Sequence, residues 1–215
     1  MFSQHAKAAE LIKSFITFIQ LTDLKLIILK NILYTLTLLI CSQIGFSQEL
    51  TVTPDGLRDA SNNDKSYVVI NTPDKTAEQN YNNAIKYINK TYKNPNEVIK
   101  SDIKSEYLTF QTYVSDFLIV NNMGAKITQF AEFTTELSFK GDRVKYEIIN
   151  LNISNSSGGK VLFSGSAFTG FPIYNKKKKL KRADTKNDIE VYFNNTINNI
   201  KSYLFEDVKS TDDDW

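Results

Sequence analysis

Side chains that carry nucleophilic, redox or metal chemistry are scarce in this sequence. Its 215 residues include one cysteine, Cys41, and one histidine, His5. Both precede residue 48, so residues 48–215 contain neither a thiol nor an imidazole. Zinc sites built from cysteine and histidine, thiol nucleophiles and Ser-His-Asp triads are therefore excluded there. We expect residues 48–215 to hold no metal and no cofactor, and to form a protein that is not an enzyme.

Two opposed glutamates are the pair best placed for acid/base chemistry. In the hairpin described below, Glu136 and Glu147 come to face each other. Facing carboxylates can raise one pKa and support general acid/base catalysis, as in a hydrolase that uses carboxylates alone. Such an enzyme needs two acids roughly 5–9 Å apart in a cleft. The alternative is a pair in water beside Lys145, and we favour it because no nucleophile or cofactor motif accompanies the glutamates.

A basic run at residues 175–182 (NKKKKLKR) is the most conspicuous charged feature of the chain. Aromatic residues precede it, namely Phe168, Phe171 and Tyr174. Lysines interleaved with aromatics are typical of a strip that binds nucleic acid or anionic lipid. The alternative is a solvated loop whose field is diluted by nearby acids, and we favour the loop. Those acids are Asp184, Asp188 and Glu190.

The charge balance argues against a nucleic-acid partner. The chain has 26 Lys and Arg against 24 Asp and Glu, a formal net charge of +2. Four of those lysines and two of those acids lie in residues 1–47, which leaves 22 of each sign in residues 48–215. A neutral chain has no global basic field for nucleic acid or anionic lipid. The acidic tail at 208–215 lacks the preorganised cage that a hard cation needs; its last acids are Asp212, Asp213 and Asp214.

Residues 29–47 have the layout of a secretory signal peptide. One lysine supplies the positive charge, and an apolar stretch of ten residues, 32–41, follows it. Gly45 and Ser47 occupy the −3 and −1 positions of a small-x-small site, which predicts cleavage between Ser47 and Gln48. Ten apolar residues are too few to span a bilayer, which takes roughly 20. We therefore predict an exported protein, either periplasmic or secreted.

The remainder of the N-terminal segment leaves other interpretations open. Residues 1–28 do not fit such a signal, and we interpret them as an upstream extension from a misassigned start, with Leu29 as the initiating codon. One alternative anchors the protein in a membrane through two apolar helices, 11–21 and 24–41, although lysines interrupt the second. Another makes Cys41 a lipoprotein site, which the large Ile40 before it disfavours.

Hydrophobic periodicity predicts that the packed α+β core domain spans residues 66–153. The polar stretch 48–65 contains Pro, Gly and Asn and predicts a linker. Residues 67–70 (YVVI) predict a strand. A helix with one apolar face follows, formed by Ala77, Tyr81, Ala84, Ile85, Ile88 and Tyr92. Its polar positions are Glu78, Gln79, Asn82, Asn83, Lys86 and Asn89.

Four strands are predicted after this helix. The first two, 97–104 and 107–113, are joined tightly near Ser105, and residues 117–120 predict a further short strand. The other two, 127–140 and 143–153, form the clearest hairpin.

The turn of that hairpin is Gly141-Asp142, since glycine takes the positive φ of a tight loop. In this register, side chains that face each other on one side of the sheet are Phe139 with Val144 and Leu137 with Tyr146. The apolar pattern slips by one residue after Glu147, which predicts a bulge.

The last part of the chain predicts a long loop with the lysine run at 154–186 and an amphipathic helix at 187–207, capped by Asn187 or Asp188. The helix packs on the core through Ile189, Phe193, Ile197, Ile200 and Leu204. The element order is β-α-β-β-β-β-α. Strands so close in sequence must pair antiparallel. The predicted fold class is therefore α+β, an antiparallel β-sheet with helices packed on one face.

Four segments resemble the bacterial domain-of-unknown-function family DUF4468. They are 67–70 (YVVI), 81–88 (YNNAIKYI), 93–99 (KNPNEVI) and 139–147 (FKGDRVKYE). The resemblance covers roughly 67–153, with the helix at 188–206 as a looser extension. It implies a TATA-binding-protein-like (TBP-like) fold, a signal peptide and an unassigned role. It implies no catalytic residues and no DNA binding, since a shared fold is not a shared function.

Together these features predict an exported bacterial cell-envelope protein that acts as a non-catalytic binding or interaction module. Its partner would be an unknown protein or a small apolar ligand in the envelope, and not a nucleic acid. A ligand would lie between the sheet and the C-terminal helix, with residues 163–174 as a lid. Membrane contact is expected only if the N-terminus is not cleaved.

Overall fold

The computed structural model describes Lys30 and residues 49–206. The chain divides into two units, Met1–Ser47 and Gln48–Trp215, and all described residues except Lys30 belong to the second. Apart from Lys30, the predicted signal peptide lies outside the described residues, as do its cleavage bond, Cys41 and the acidic tail. Within the described part of the chain, no helix is both long and apolar enough to cross a membrane.

Nine strands and three helices form the described unit. In chain order they are β1 (Leu50–Thr53), β2 (Gly56–Asp59), β3 (Tyr67–Asn71), α1 (Ala77–Thr91), α2 (Pro95–Val98), β4 (Ile99–Ile103), β5 (Tyr107–Asn122), β6 (Ala125–Lys140), β7 (Arg143–Ser154), β8 (Val161–Gly165), β9 (Phe171–Asn175) and α3 (Ala183–Leu204).

The centre of the fold is an antiparallel sheet of five strands in the order β3-β7-β6-β5-β4. Its long middle strands alternate buried and exposed side chains, so one face is apolar. The helices α1 and α3 bury their apolar sides in the same hydrophobic cluster as that face. The predicted α+β class, an antiparallel sheet with helices packed on one face, is confirmed.

The helix α1 begins with a capping box, which explains its start at Ala77. The Thr76 hydroxyl accepts from the Gln79 backbone N–H at 3.2 Å, and the Thr76 N–H donates to Gln79 Oε1 at 2.8 Å. Asn83, predicted to lie outside the apolar face, is instead buried. Its amide donates to the Leu204 and Glu206 carbonyl oxygens at 3.2 and 3.0 Å, so it joins α1 to the end of α3.

The β6–β7 hairpin has the predicted register. Phe139 pairs with Val144 and Leu137 with Tyr146, around a turn in which Gly141 has φ +60°. The predicted bulge is also present, because two β7 residues lie opposite Phe133 of β6. One of them is Asn150, with φ +55°.

Two strand predictions around β4 and β5 need adjustment. The strand predicted at 97–104 begins only at Ile99, since the preceding proline starts the one-turn helix α2. Residues 117–120 are not a separate strand. They continue β5, which is bulged between Val114 and Leu118.

The prediction of a linker at residues 48–65 is wrong for most of that stretch. Residues 50–59 form the β1–β2 hairpin, and Leu50 and Val52 are buried. Side chains of α3 bind the β1 backbone. Asn194 accepts from the Leu50 N–H at 2.8 Å and donates to the Leu50 carbonyl at 3.0 Å, and Glu190 accepts from the Val52 N–H at 2.8 Å. The hairpin therefore belongs to the packed unit.

The helix α3 begins earlier than predicted. Its N-cap is Arg182 and not Asn187 or Asp188, since the Lys186 N–H already donates to the Arg182 carbonyl at 3.1 Å. Its five predicted apolar side chains are each 0% exposed: Ile189, Phe193, Ile197, Ile200 and Leu204. Burying a phenylalanine of this kind stabilises a fold by roughly 1.5–3 kcal/mol.

Candidate functional site

The two glutamates predicted as an acid/base pair lie side by side on the sheet face opposite the helices. Glu136 is the register partner of Glu147. The Lys145 ammonium lies between them, with Nζ 2.7 Å from Glu136 Oε1 and 3.0 Å from Glu147 Oε2. Ser66 donates a further hydrogen bond to Glu147, and the Tyr67 ring centroid lies 5.6 Å from Lys145 Nζ. The favoured alternative is confirmed in that Lys145 lies beside the two glutamates, but the pair is not simply in water, because the two side chains are only 17% and 18% exposed.

The electrostatics around Glu147 do not suit a general acid. Burial alone would raise the pKa of Glu147, but hydrogen bonds from Ser66 and Lys145 and the lysine charge hold it below its ordinary value. Burial alone would lower the pKa of Lys145, and the two carboxylates raise it instead. A carboxyl that donates a proton near neutral pH needs a raised pKa. The geometry is that of an ion-pair network, in which Lys145 compensates the two glutamates.

The described residues also contain no cluster of side chains suited to binding a metal ion. Among Lys30 and residues 49–206, no group of three or more His, Cys, Asp or Glu side chains is arranged to hold an ion. The aspartates of the tail, Asp212, Asp213 and Asp214, lie outside these residues.

The segment predicted as a long loop, 154–186, contains two short strands. β8 and β9 pair in parallel, with Val161 opposite Phe171. A bridge between Ser154 and Lys160 joins the segment to the end of β7. Parallel neighbours usually need a crossover of a dozen or more residues. Only five residues join these two strands, which is why their spacing did not predict a pair.

The basic run lines a pocket of about 600 Å³ together with the β8–β9 connection. Gly165, Ser166 and Ala167 contribute one part of the lining, and the buried Pro172 contributes another. The basic residues that line it are Lys176, Lys177, Lys181 and Arg182. None of the lining residues is acidic.

A tight turn fixes the backbone of the basic run. The Asn175 side-chain oxygen accepts from the N–H groups of Lys177 and Lys179, each at 3.0 Å. Lys178 has φ +57° at this turn. Its ammonium lies 3.4 Å from Asp55 and so faces away from the lysines of the pocket. The lysines are solvated, as predicted, but they project from an ordered turn and not from a structureless loop.

Arg182 is the most firmly held cation of the pocket. Its guanidinium donates to the Asn121 carbonyl at 2.8 Å and to Asn122 Oδ1 at 3.2 Å, at the tip of the β5–β6 hairpin. It also lies 5.4 Å from the Phe171 ring centroid, a distance typical of cation–π contacts. One side of the pocket is therefore preorganised before any ligand arrives.

The space between the sheet and α3, where a small apolar ligand was expected, is filled by aromatic side chains. Phe133 and Phe193 are 2% and 0% exposed, with ring centroids 5.1 Å apart. An apolar cleft of about 160 Å³ occurs elsewhere, beside β7 and β8, and Phe163 lines it. Phe168, expected in the lid, is fully exposed. The predicted place of the apolar ligand is therefore corrected.

Comparison with known proteins finds similarity in structure only. No family model and no curated protein matches the chain. A DUF4468 family protein from Bacteroides ovatus is similar, with a TM-score of 0.44 and 13% identity over 67% of this chain and 86% of that one. A TBP-like protein from Parabacteroides distasonis is similar with a TM-score of 0.47 and 11% identity, over 64% of this chain and 90% of that one.

These two descriptions confirm the resemblance that the sequence indicated, namely DUF4468 in one case and a TBP-like protein in the other. Neither description names a reaction, a ligand or a partner.

Sequence reasoning missed the pocket. The basic run was visible, but residues 165–167 complete the lining, and Arg182 is held by the carbonyl of Asn121, which lies 61 residues away in the chain. The one local signal was Asn175, a residue type that starts turns by binding the N–H groups that follow it.

Proposed function

We propose that this protein is an exported, non-catalytic binding module of the bacterial cell envelope. The observation that carries the binding function is the pocket of about 600 Å³ beside α3. Binding sites for small molecules are concave and typically enclose roughly 300–1,000 Å³. The pocket has this size, and the most plausible catalytic pair, Glu136 and Glu147, is compensated by Lys145.

Export is supported by where the packed unit begins. The predicted cleavage product begins at Gln48. Only two residues later, Leu50 is already buried, and its backbone N–H donates a hydrogen bond to Asn194. Cleavage after Ser47 would therefore leave the described domain complete. The product would also have no cysteine, so its folding would not depend on the redox state of the compartment.

The experiment is mass spectrometry of the protein recovered from its own host, under native and denaturing conditions. A native mass that exceeds the denatured mass by a few hundred daltons, or a stoichiometric complex, is the expected result. A bare monomer by native mass in every cell fraction would contradict the binding function.

A second candidate function is that of a carrier for a small apolar molecule. Its binding site would be the cleft beside β7 and β8, and not the predicted space between the sheet and α3. The cleft of about 160 Å³ beside Phe163 is lined mainly by apolar side chains such as Leu151 and Ile173. An engineered apolar cavity of about 150 Å³ binds benzene, so this cleft would hold one ring or a short alkyl chain. Release of an apolar compound into organic solvent, from protein with excess native mass, would favour this candidate.

A further inference from the structure

The pocket beside α3 is positively charged, and no acidic side chain lines it. Lys176, Lys177 and Lys181 have no ion-pair partner among residues 49–206. Asp184 is the nearest acid along the chain, and it lines a neighbouring cleft that shares Lys181 and Arg182. Some other lysines of the unit do form ion pairs, for example Lys178 with Asp55, and the unpaired lysines elsewhere do not line this cavity. The positive charge is therefore left uncompensated where the wall is concave.

We propose that this pocket binds a small molecule or lipid headgroup that carries phosphate with two or more negative charges. Three ammonium groups and one guanidinium can neutralise such a ligand. Ammonium groups are compact donors that bind phosphate oxygens through charge-assisted hydrogen bonds. The inference rests on the proposed binding function, but it does not depend on export.

The geometry favours a compact ligand over a nucleic-acid strand. A strand needs a charged groove along which several bases stack on aromatic side chains. Here the uncompensated cations converge on one cavity, and Phe171 is engaged by Arg182. Residues 48–215 have 22 charges of each sign, so without the four cations of the pocket the rest of this segment carries 18 positive and 22 negative charges, a net −4 that repels a nucleic-acid strand.

Two sources of the phosphate are consistent with the same chemistry. A soluble phosphorylated compound would use the cavity alone. A lipid headgroup would also bring acyl chains near Phe168, which is 101% exposed and adjacent to Ala167 of the lining. An exposed aromatic beside lysines is the combination found where proteins contact anionic membrane surfaces.

The test is calorimetric titration with inorganic pyrophosphate, on protein produced from the full-length coding sequence. A variant with Lys176→Gln, Lys177→Gln and Lys181→Gln removes three pocket charges. The matched control, with Lys90→Gln, Lys93→Gln and Lys126→Gln, removes three exposed charges that do not line the pocket. Urea unfolding of both variants establishes that each is folded.

Saturable binding is expected for the wild type, at least about tenfold weaker in the pocket variant and within about twofold in the control. A second arm measures sedimentation with vesicles of phosphatidylcholine, with and without phosphatidic acid, whose phosphomonoester can carry two negative charges. Binding to pyrophosphate identifies a soluble source. Binding only to the phosphatidic acid vesicles, lost in the pocket variant, identifies a headgroup.

Three results would overturn the inference. They are the absence of both kinds of binding, equal weakening in the two variants, and tighter binding of a DNA oligonucleotide than of pyrophosphate. If both kinds of binding are absent while host-recovered protein carries a bound compound, the ligand class is wrong and the binding function stands. If the host-recovered protein is also bare, both fail.

Discussion

At the scale of single residues, the Lys145 ammonium separates two carboxylates that face each other across β6 and β7. The side chains of Lys145, Glu136 and Glu147 are 31%, 17% and 18% exposed, so water screens their interaction only in part. This environment gives the three charges a role in stability.

Lys145→Met should therefore destabilise the fold by about 1–2 kcal/mol at neutral pH, because it leaves two glutamates opposed without a cation. Urea unfolding measures this. Lys140→Met, at an exposed end of β6, is the matched control and should change stability by less than about 0.5 kcal/mol. Equal effects of the two substitutions would show that the cluster has no special role.

Acid should remove the contribution of Glu147. Its pKa is lower in the folded state than its ordinary value of 4.5, so ionised Glu147 favours folding. That contribution is complete above about pH 4.5 and is lost as the pH falls through the lower folded pKa. Urea unfolding from pH 7 to pH 3 should show a smaller loss of stability in Glu147→Gln than in the wild type. Glu106→Gln, at an exposed residue, should keep the wild-type profile.

At the scale of elements, the helix α3 substitutes for a strand at the edge of the β1–β2 hairpin. Asn194 satisfies both backbone groups of Leu50, while Glu190 and Tyr174 bind Val52. Burial would raise the pKa of Glu190, but bonds from Lys186, Thr51 and the Val52 N–H hold it below its ordinary value. The hairpin is too short to be stable alone, so these contacts hold it.

Asn194→Ala should destabilise the fold by about 2–3 kcal/mol, because it leaves a buried N–H and a carbonyl of Leu50 without partners. The control is Asn195→Ala, which makes the same change at an exposed position of the same helix. It should be neutral or slightly stabilising, since alanine favours helices. A small effect of Asn194→Ala in urea unfolding would mean that the hairpin is held by its apolar side chains alone.

The sequence predicted those helices and turns whose formation depends on residues close together in the chain. The apolar spacing of α1 and α3, the Gly141 turn and the bulge after Glu147 all follow from residues close together in the chain. The β1–β2 hairpin could not be predicted in this way, because the side chain that binds Leu50 lies 144 residues away. The pocket could not be predicted for a different reason: residues 165–167 and the turn at 175–182 are close in sequence, but they line one cavity beside a parallel pairing of β8 with β9 that the sequence pattern did not indicate.

At the scale of the whole molecule, the proposed export would change the charge of the protein as well as its length. Residues 1–47 carry the entire formal excess of +2, and the remainder is neutral. A neutral protein is not concentrated by general attraction at anionic surfaces. Any affinity for an anion must then arise locally, at the pocket beside α3.

The molecule that acts in the cell is, on this account, the domain that follows Ser47. The most direct measurement is the denatured intact mass of the protein recovered from its host, with the cell fraction recorded. The account predicts a chain that begins at Gln48 and is absent from the cytoplasm. A chain that retains residues 1–47, or one that begins at an acylated Cys41, would contradict it.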